Sequence, residues 1–208
     1  MYHHIPVLLD EVINHLNPKP NHLFIDGTVG QGGHAHAFLQ RALPEGRLLG
    51  IDRDPSNLAI ARERLQEFGD RAVLVQDTYA NAKTHANAQR FTSVHSILLD
   101  LGFSSAHVDD PERGFSFSLD GPLDMRYDPD QELSAEQIVN TWNVDELARI
   151  FRIYSEERKA RVIAEAIVNR RANQPIRRTS ELAELVELVV PRRGKIHPAT
   201  KTFQALRI

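Results

Sequence analysis

The stretch over residues 22–34 combines an apolar run, a carboxylate and a glycine-rich turn. Asp26 follows the apolar residues 23–25, and a cluster of glycines comes next. The cluster consists of Gly27, Gly30, Gly32 and Gly33. Glycines allow positive φ and a close backbone approach, and the free amides of a helix that starts after the turn point at a bound group. The pattern predicts a strand, a turn and a helix that hold a small charged ligand; the alternative is an ordinary strand-to-helix turn.

A second carboxylate supports a nucleoside ligand. Asp52 ends the apolar run 47–51 and follows Asp26 by 26 residues, near the spacing at which an acid accepts hydrogen bonds from the two hydroxyls of a ribose. The strict dinucleotide pattern G-x-G-x-x-G is absent, and a fixed charge at Asp26 would oppose a pyrophosphate. S-adenosylmethionine has a sulfonium, an ammonium and a ribose but no phosphate, so these residues suit it better than they suit NAD.

Alternating strand and helix patterns fill the first half of the chain. The strands are predicted near 22–26, 47–52, 72–76 and 95–100, and the helices near 31–42, 55–68 and 79–89. Repeated β-α units of this length predict a doubly wound parallel sheet with its ligand at the carboxyl ends of the strands. Each strand ends at an acidic residue: Asp26, Asp52, Asp77 and Asp100. A helix cap would explain one such residue, but four at one edge indicate a binding crevice.

The second half has a different organisation. Residues 104–132 lack regular periodicity, and long irregular segments in compact domains are often functional. Capping patterns begin at Ser134 and Asn143, and apolar periodicity predicts helices over 155–171 and 179–190. We therefore expect a separate helical module.

Composition excludes several classes of site. The chain has no cysteine, which excludes disulfides, thiolate metal sites and cysteine nucleophiles. The ten histidines show no spacing typical of a metal site, so no bound metal is expected. No apolar run is long enough to span a bilayer and no signal-peptide pattern is present, so a cytoplasmic protein with no membrane partner is expected.

Charge is distributed unevenly along the chain. Residues 1–148 hold 11 Lys and Arg against 22 Asp and Glu, a net charge of −11, whereas residues 149–208 hold 14 against 6, a net charge of +8. The basic third predicts a surface that binds a polyanion. Solvated helix faces and helix C-caps are the alternative reading.

Several longer motifs make a family resemblance specific. They lie at residues 4–9, 26–34, 50–54, 99–105, 109–117, 121–126, 156–158 and 197–208. With these blocks the chain resembles the RsmH/MraW family, bacterial S-adenosylmethionine-dependent methyltransferases that modify the exocyclic N4 of a cytidine in the decoding region of 16S ribosomal RNA. The resemblance covers nearly the whole chain. It implies a Rossmann-like class I methyltransferase sheet with an inserted all-helical domain.

The resemblance also implies domain bounds. Residues 1–107 would form the first part of the S-adenosylmethionine-binding domain, residues 108–198 the inserted RNA-substrate domain, and residues 199–208 a return to the methyltransferase domain. Family members continue beyond this point, so the chain is expected to be a C-terminally shortened form.

Site residues are carried over position by position from the family. The expected cofactor contacts are Gly32, Gly33, His34, Asp52, Tyr79, Asp100 and His107. Tyr79 replaces the usual phenylalanine, which keeps an aromatic face for adenine and adds a hydroxyl. His107 replaces a family glutamine, and its hydrogen bonding depends on tautomer and pH.

The absence of cysteine restricts the methyl acceptor. Methylation of a pyrimidine at C5 normally needs a cysteine that adds to C6, so a nitrogen or oxygen acceptor remains. Asp100 is the candidate catalytic residue, whose carboxylate would accept a hydrogen bond from the cytosine amine and direct its lone pair; a loop cap is the alternative. The expected RNA contacts are Arg113, Asp124 and Arg126, and for Arg113 an ion pair with Asp109 or Asp110 is an equal alternative.

The expected partner is 16S ribosomal RNA within the small ribosomal subunit, and an oligomer is possible. The cytosine must be unstacked to reach the methyl group, which gives Phe103, Phe115 or Phe117 a stacking role unless they pack in the core. Two other functions stay open. The chain could be an inactive remnant that binds RNA or assists ribosome assembly, or a nicotinamide oxidoreductase, which the missing G-x-G-x-x-G motif disfavours.

Overall fold

The structure is a computed structural model that describes residues 6–102, 105–192 and 194–208. The chain divides into two compact units, of which the first ends at Gly102 and the second contains the remainder. Among the described residues, no helix combines the length and the apolar character needed to cross a membrane. Each unit has its own buried core.

Four parallel strands form the centre of the first unit. Their bounds are β1 Leu23–Asp26, β2 Arg47–Asp52, β3 Ala72–Gln76 and β4 Ser96–Leu98. The strand order is β3-β2-β1-β4, with Ile25 opposite Leu49 on β2 and opposite Ile97 on β4. The chain therefore winds outward from β1 to β3 and then returns to the other side of β1. This is the doubly wound arrangement that the alternating pattern predicts.

Helices cover both faces of this sheet. Their bounds are α1 Leu9–Leu16, α2 Gly33–Arg41, α3 Pro55–Leu65 and α4 Ala82–Ala88, with 3-10 turns at Gln66–Arg71 and Tyr79–Asn81. Because successive strand residues point to opposite faces, Phe24 packs with α2 and α3 residues such as Phe38 and Leu58. Ile25 packs on the other face with Ala86 of α4. Burial of both faces explains why the strands are almost wholly apolar.

The second unit is helical over most of its described length. Its elements are α5 Ser105–Asp109, a 3-10 turn Pro111–Arg113, α6 Ala135–Thr141, α7 Val144–Ser155, α8 Ala160–Arg171, α9 Thr179–Val189 and α10 Thr200–Arg207. The helices α6 to α10 share one core that includes Phe151, Ile163 and Phe203. Capping boxes at Ser134 and Asn143 start α6 and α7, as their sequences predict.

The predicted helix over 155–171 is wrong at its start. Glu156 has φ 52°, in the left-handed region, and its backbone N–H caps α7 on the carbonyl of Phe151. The next helix begins only at Ala160. The apolar pattern continues from α7 into α8 because both helices face the same core. Periodicity alone therefore does not indicate the C-cap at Glu156.

The irregular segment after α5 is fixed within the second unit by backbone contacts. The backbone N–H of Leu123 donates to the carbonyl of Arg177, and that of Thr179 donates to the carbonyl of Gly121. Further along, the carbonyls of Leu123 and Asp124 accept from the first amides of α6. The segment is therefore an ordered part of the core.

The fold class is confirmed for the parallel sheet with flanking helices. The inserted-domain organisation and its bounds stay predictions. In the second unit α10 packs against α6 and α7, and the expected return of residues 199–208 to the sheet domain likewise stays a prediction.

We predict that Gly121→Ala destabilises the second unit by about 2 kcal/mol or more, because a Cβ at this position would overlap the backbone carbonyl of Pro111. Urea denaturation followed by circular dichroism measures the change. Gly102→Ala is the matched control, since a Cβ there meets no atom of the described residues within 4 Å. Equal stability of the two variants would contradict the prediction.

Candidate functional site

The candidate site lies where the winding of the sheet reverses, between the carboxyl ends of β1 and β4. The backbone N–H of Gly27 donates to the carbonyl of Leu98 over 2.9 Å. Two residues further on, the N–H of Asp100 donates to the hydroxyl oxygen of Thr28 over 2.7 Å. These bonds join the segments that follow the two strands. In doubly wound folds ligands bind in the crevice at this switch point.

Asp26 is the buried acid at this point, with 1% of its surface exposed. Its Oδ1 accepts a hydrogen bond from the backbone N–H of Thr28 over 3.2 Å. Burial raises the pKa of Asp26 to about 7, the bond from Thr28 opposes the rise, and the neighbouring Asp52 and Asp100 carboxylates add to it. The three carboxyl groups therefore lie within electrostatic range of one another, and they favour a cationic ligand.

Asp52 holds the glycine turn in place. Its Oδ2 accepts from the backbone N–H of Gly30 over 2.8 Å, and its Oδ1 accepts from that of Asp54 over 2.9 Å. Gly30 has φ +52°, which the missing side chain permits. Each carboxylate oxygen keeps a further lone pair, so Asp52 can still accept hydrogen bonds from a ribose.

The three adjacent residues expected to contact the cofactor also have packing roles. Gly32 has φ +79°, a conformation that residues with a side chain rarely adopt, and it lies close to Ala61 of α3. At Gly33 a Cβ would overlap the ring of Pro6. His34 is buried, and its Nε2 lies 3.2 Å from the carbonyl oxygen of Val7. These contacts explain why small or buried residues stand here, and the cofactor contacts stay predictions.

Tyr79 begins the 3-10 turn after β3 and is 45% exposed. A Cβ placed on Gly27 would lie 3.0 Å from the Cβ of Tyr79, so the tyrosine sits directly against the end of β1. Leu99 is also exposed and lies close to the same glycine. The structure thus brings an accessible aromatic ring to the switch point, as an adenine platform requires.

Asp100 is exposed in the loop that follows β4. Its backbone N–H is anchored on Thr28, which fixes the main chain while the carboxylate faces solvent. Together with Asp26, Asp52 and Tyr79 it belongs to the first unit. The structure therefore gathers these four predicted site residues around one sheet edge.

His107 and the expected RNA contacts belong to the second unit. His107 is buried and stacks on Phe115, with ring centroids 4.9 Å apart. Arg113 donates from one guanidinium nitrogen to the carbonyls of Arg126 and Tyr127, over 3.0 and 3.1 Å. The roles expected for these residues stay predictions.

Asp124 and Arg126 form a bidentate ion pair, with Nη2 of the arginine 2.7 Å from Oδ2 of the carboxylate. Nη1 of Arg126 also donates to the carbonyls of Pro129 and Gln131, over 2.7 and 3.0 Å. Burial opposes ionisation of Asp124, but the hydrogen bonds from Arg126 outweigh it and lower the pKa of the carboxyl. The pair cross-links the irregular segment.

The phenylalanines considered for base stacking have different environments. Phe115 is fully buried between His107 and Tyr127, which is a packing role. Phe117 is partly buried and touches the rings of His197 and Phe203. Phe103 lies outside the described residues. Among the residues that are described, no cluster of potential ligands could hold a metal ion.

The comparisons with known proteins identify the family. The family model described as the MraW methylase family matches residues 1–208. The chain belongs to the MraW methylase family.

Two relatives in this family are both named ribosomal RNA small subunit methyltransferase H. The protein of Heliobacterium modesticaldum is 45% identical over 212 residues, which cover 100% of this chain and 68% of the relative. The protein of Dehalococcoides mccartyi is 48% identical over 208 residues, which cover 100% of this chain and 59% of the relative. The chain thus spans 59–68% of the length of these MraW relatives.

Solved structures give a weaker likeness. A crystal structure titled as an rRNA methylase from Streptococcus thermophilus is 17% identical, with a TM-score of 0.34. The match covers 49% of this chain and 58% of that one.

Sequence reasoning missed several contacts in this MraW chain. Thr28 joins β1 to the loop after β4, and Asp54 both caps α3 through Ser56 and donates to Asp52. The Asp54-Pro55 pair predicts the cap alone. No sequence signal marks the Thr28 contact, because it joins residues 72 positions apart.

We predict that Asp26→Asn becomes more stable relative to the wild type as the pH rises from 5 to 8. The folded pKa of Asp26, about 7, exceeds its ordinary value of 3.8, so the folded chain binds the extra proton between these values. The protonated acid contributes its full stabilisation below about pH 4, and this contribution is lost as the pH rises through 7. The loss in the free energy of unfolding is on the order of 4 kcal/mol.

Urea denaturation at half-unit pH steps measures this difference. The amide introduced by Asp26→Asn cannot titrate, so the packing cost of the substitution is the same at each pH. Asp10→Asn, at an exposed position on α1, serves as the control and should follow the wild-type curve. Parallel curves for wild type and Asp26→Asn would show that Asp26 is ionised throughout.

We predict that Gly27→Ala weakens binding of S-adenosylmethionine about fivefold by displacing Tyr79, equivalent to about 1 kcal/mol of overpacking. The added Cβ would also lie 2.5 Å from Leu99 Cδ2, the end of a flexible side chain that can move. Calorimetry measures the affinity. In a Tyr79→Ala background the same change should have little further effect, and additive losses would place the cause elsewhere.

Proposed function

We propose that this chain is an S-adenosylmethionine-dependent methyltransferase that modifies the exocyclic N4 of a cytidine in the decoding region of 16S ribosomal RNA, within the small ribosomal subunit in the cytoplasm. The observation that carries the proposal is the buried Asp26 at the switch point, with Asp52 beside it and the glycine turn between them. Family membership and the names of the relatives support methylation of small-subunit ribosomal RNA, and the N4 position of a cytidine is the finer part of the proposal.

The residues present fit the cofactor. S-adenosylmethionine supplies a methyl group on a positively charged sulfur. Asp26 and Asp100 provide the negative potential for that charge and for the ammonium group, Asp52 has lone pairs for the ribose, and Tyr79 offers an exposed aromatic face for the adenine. A dinucleotide would instead place its pyrophosphate against a buried acid, which is unfavourable.

The acceptor is proposed to be an amine because an amine nitrogen needs no deprotonation before it attacks. Its proton becomes acidic only once the new N–C bond has formed. Orientation then provides most of the catalysis, and proximity alone can contribute about 7 to 11 kcal/mol. Asp100, anchored through its backbone and exposed at its carboxylate, would accept a hydrogen bond from the amine and direct the nitrogen lone pair toward the methyl group.

RNA binding is proposed for the exposed basic residues within 149–208, the part of the second unit that has a net charge of +8. Several of its cations already have protein partners, such as Arg161 with Asp145 and Glu165, and Arg178 with Asp120. Other basic residues are exposed: Arg149, Arg152, Arg158, Lys159, Arg177, Arg192 and Lys195. Such a surface would bind phosphates with the strong salt dependence of counterion release.

The alternative function, an inactive RNA-binding remnant, is less favoured. A chain that had lost its catalytic role would have no need of a buried acid that opposes folding above pH 4, whereas a cationic cofactor uses it. The dinucleotide alternative has no support from the family match.

We predict that Asp100→Ala lowers methyl transfer about 100-fold or more, because the amine loses the group that orients it. The assay incubates the chain with labelled S-adenosylmethionine and 30S particles from cells that lack the methylation, and mass spectrometry detects N4-methylcytidine. Asp70→Asn, an exposed acid in the same unit, is the control. Full turnover by Asp100→Ala would remove the catalytic assignment.

The wild-type chain distinguishes the two functions in the same assay. Cofactor binding with transfer supports the enzyme, and salt-dependent RNA binding without transfer supports the remnant. Failure of a folded chain to bind either S-adenosylmethionine or its demethylated product would overturn the proposal.

A further inference from the structure

Asp77, at the carboxyl end of β3, accepts an unusual number of hydrogen bonds. Its Oδ1 accepts from the backbone N–H of Thr78 over 2.7 Å, and Nδ2 of Asn81 lies 3.0 Å from both carboxylate oxygens. Its Oδ2 lies 2.6 Å from Nε2 of His85. All three donors come from the turn and helix that follow β3. The carboxylate therefore holds that segment against the end of the sheet.

The same residue is connected to the neighbouring strand. The backbone N–H of Asp77 donates to the carbonyl of Asp52 over 3.1 Å. Asp52 in turn fixes the glycine turn through its own carboxylate. Asp77 thus connects Asp52, the proposed acceptor for the ribose hydroxyls, with the turn that contains Tyr79.

His85 completes the arrangement from α4. The side chains of His85 and Asp77 are 25% and 30% exposed, so water does not fully screen their interaction. The hydrogen bond from His85, followed by those from Thr78 and Asn81, lowers the pKa of Asp77, and burial opposes this only weakly. The carboxylate is consequently ionised over the whole physiological range.

The position of Tyr79 is constrained on two sides. Asp77 holds the preceding amide of Thr78, and the Cβ of Tyr79 lies directly against Gly27. The side chain itself remains 45% exposed. Because the chain at Tyr79 is already held, stacking of a flat ligand on the exposed ring restricts only the side-chain rotamers.

We propose that Asp77 and His85 form a positioning pair that fixes Tyr79 for stacking on the purine base of the cofactor. The inference rests on the proposed function, since it concerns the same nucleoside site. A helix cap for α4 alone would account for the bonds from Thr78 and Asn81. It would not need the additional bond from His85, which ties the middle of the short helix to the same carboxylate.

The test measures the affinity of the full chain for S-adenosylmethionine and for adenosine, which has the base and ribose but no methionine portion. His85→Ala should weaken both about five- to tenfold by the same factor, because the change acts on the base. The turnover number at saturating cofactor should stay near the wild-type value. His85→Gln, whose side-chain amide can donate to Asp77, should recover part of the lost affinity.

A second histidine provides the matched control. His95 is stacked on His22 with ring centroids 4.1 Å apart, and its Nδ1 accepts from the backbone N–H of Leu23 at the amino end of the sheet. His95→Ala should therefore reduce stability without changing the affinity for adenosine. In a Tyr79→Ala background, His85→Ala should have little further effect on affinity.

The outcomes separate this inference from the proposed function. A wild-type chain that binds neither ligand overturns the function itself. A wild-type chain that binds both, together with a His85→Ala variant of unchanged affinity and reduced helix stability, leaves the function intact and reduces the pair to a cap. A variant with lower turnover but unchanged affinity would also overturn the positioning role.

Discussion

The burial of the Asp26 carboxyl at the switch point is the constraint on which the site depends. With one backbone hydrogen bond and two acidic neighbours, its ionisation opposes folding at neutral pH. A sheet edge selected for stability alone would place a neutral side chain there. A ligand with a fixed positive charge shifts the protonation equilibrium of Asp26 toward the ionised form, which the folded chain otherwise disfavours. Binding of such a ligand should therefore be accompanied by proton release from Asp26.

The other acids at this edge differ in their hydrogen bonding. Asp52 supports the glycine turn through Gly30 and still has lone pairs for a ribose. Asp77 has no such spare capacity, because its oxygens already face Thr78, Asn81 and His85. The four acids that close the strands are thus not equivalent. Asp26 is buried, Asp52 supports the glycine turn, and Asp77 holds the segment after β3. Of the four, Asp100 alone is both anchored through its backbone and exposed.

The sequence predicts the strands well because each apolar run ends at a polar residue, and it predicts α6 and α7 from capping patterns that are local. The sequence predicts fewer of the contacts between residues that are far apart along the chain. The glycines at 32 and 33 suggest ligand contact, yet the structure shows that a positive φ at Gly32 and the close ring of Pro6 at Gly33 also favour them. In the sequence, Asp77 is one of four acids that follow the strands. Only the fold shows that His85 of α4 hydrogen-bonds to its carboxylate. Such contacts depend on the packing of elements, which no local pattern records.

The guanidinium groups of the arginines in the irregular segment are charged but already hydrogen-bonded within the protein. Arg126 uses its guanidinium on Asp124 and on two backbone carbonyls, and Arg113 donates to two more. An RNA phosphate that contacted Arg126 would have to displace bonds that already satisfy it, with little net gain. These residues are better placed to keep the segment rigid, and Asp124 balances the charge of Arg126. Under the proposed function, direct phosphate contacts would therefore be expected first at exposed cations such as Arg177 or Arg158.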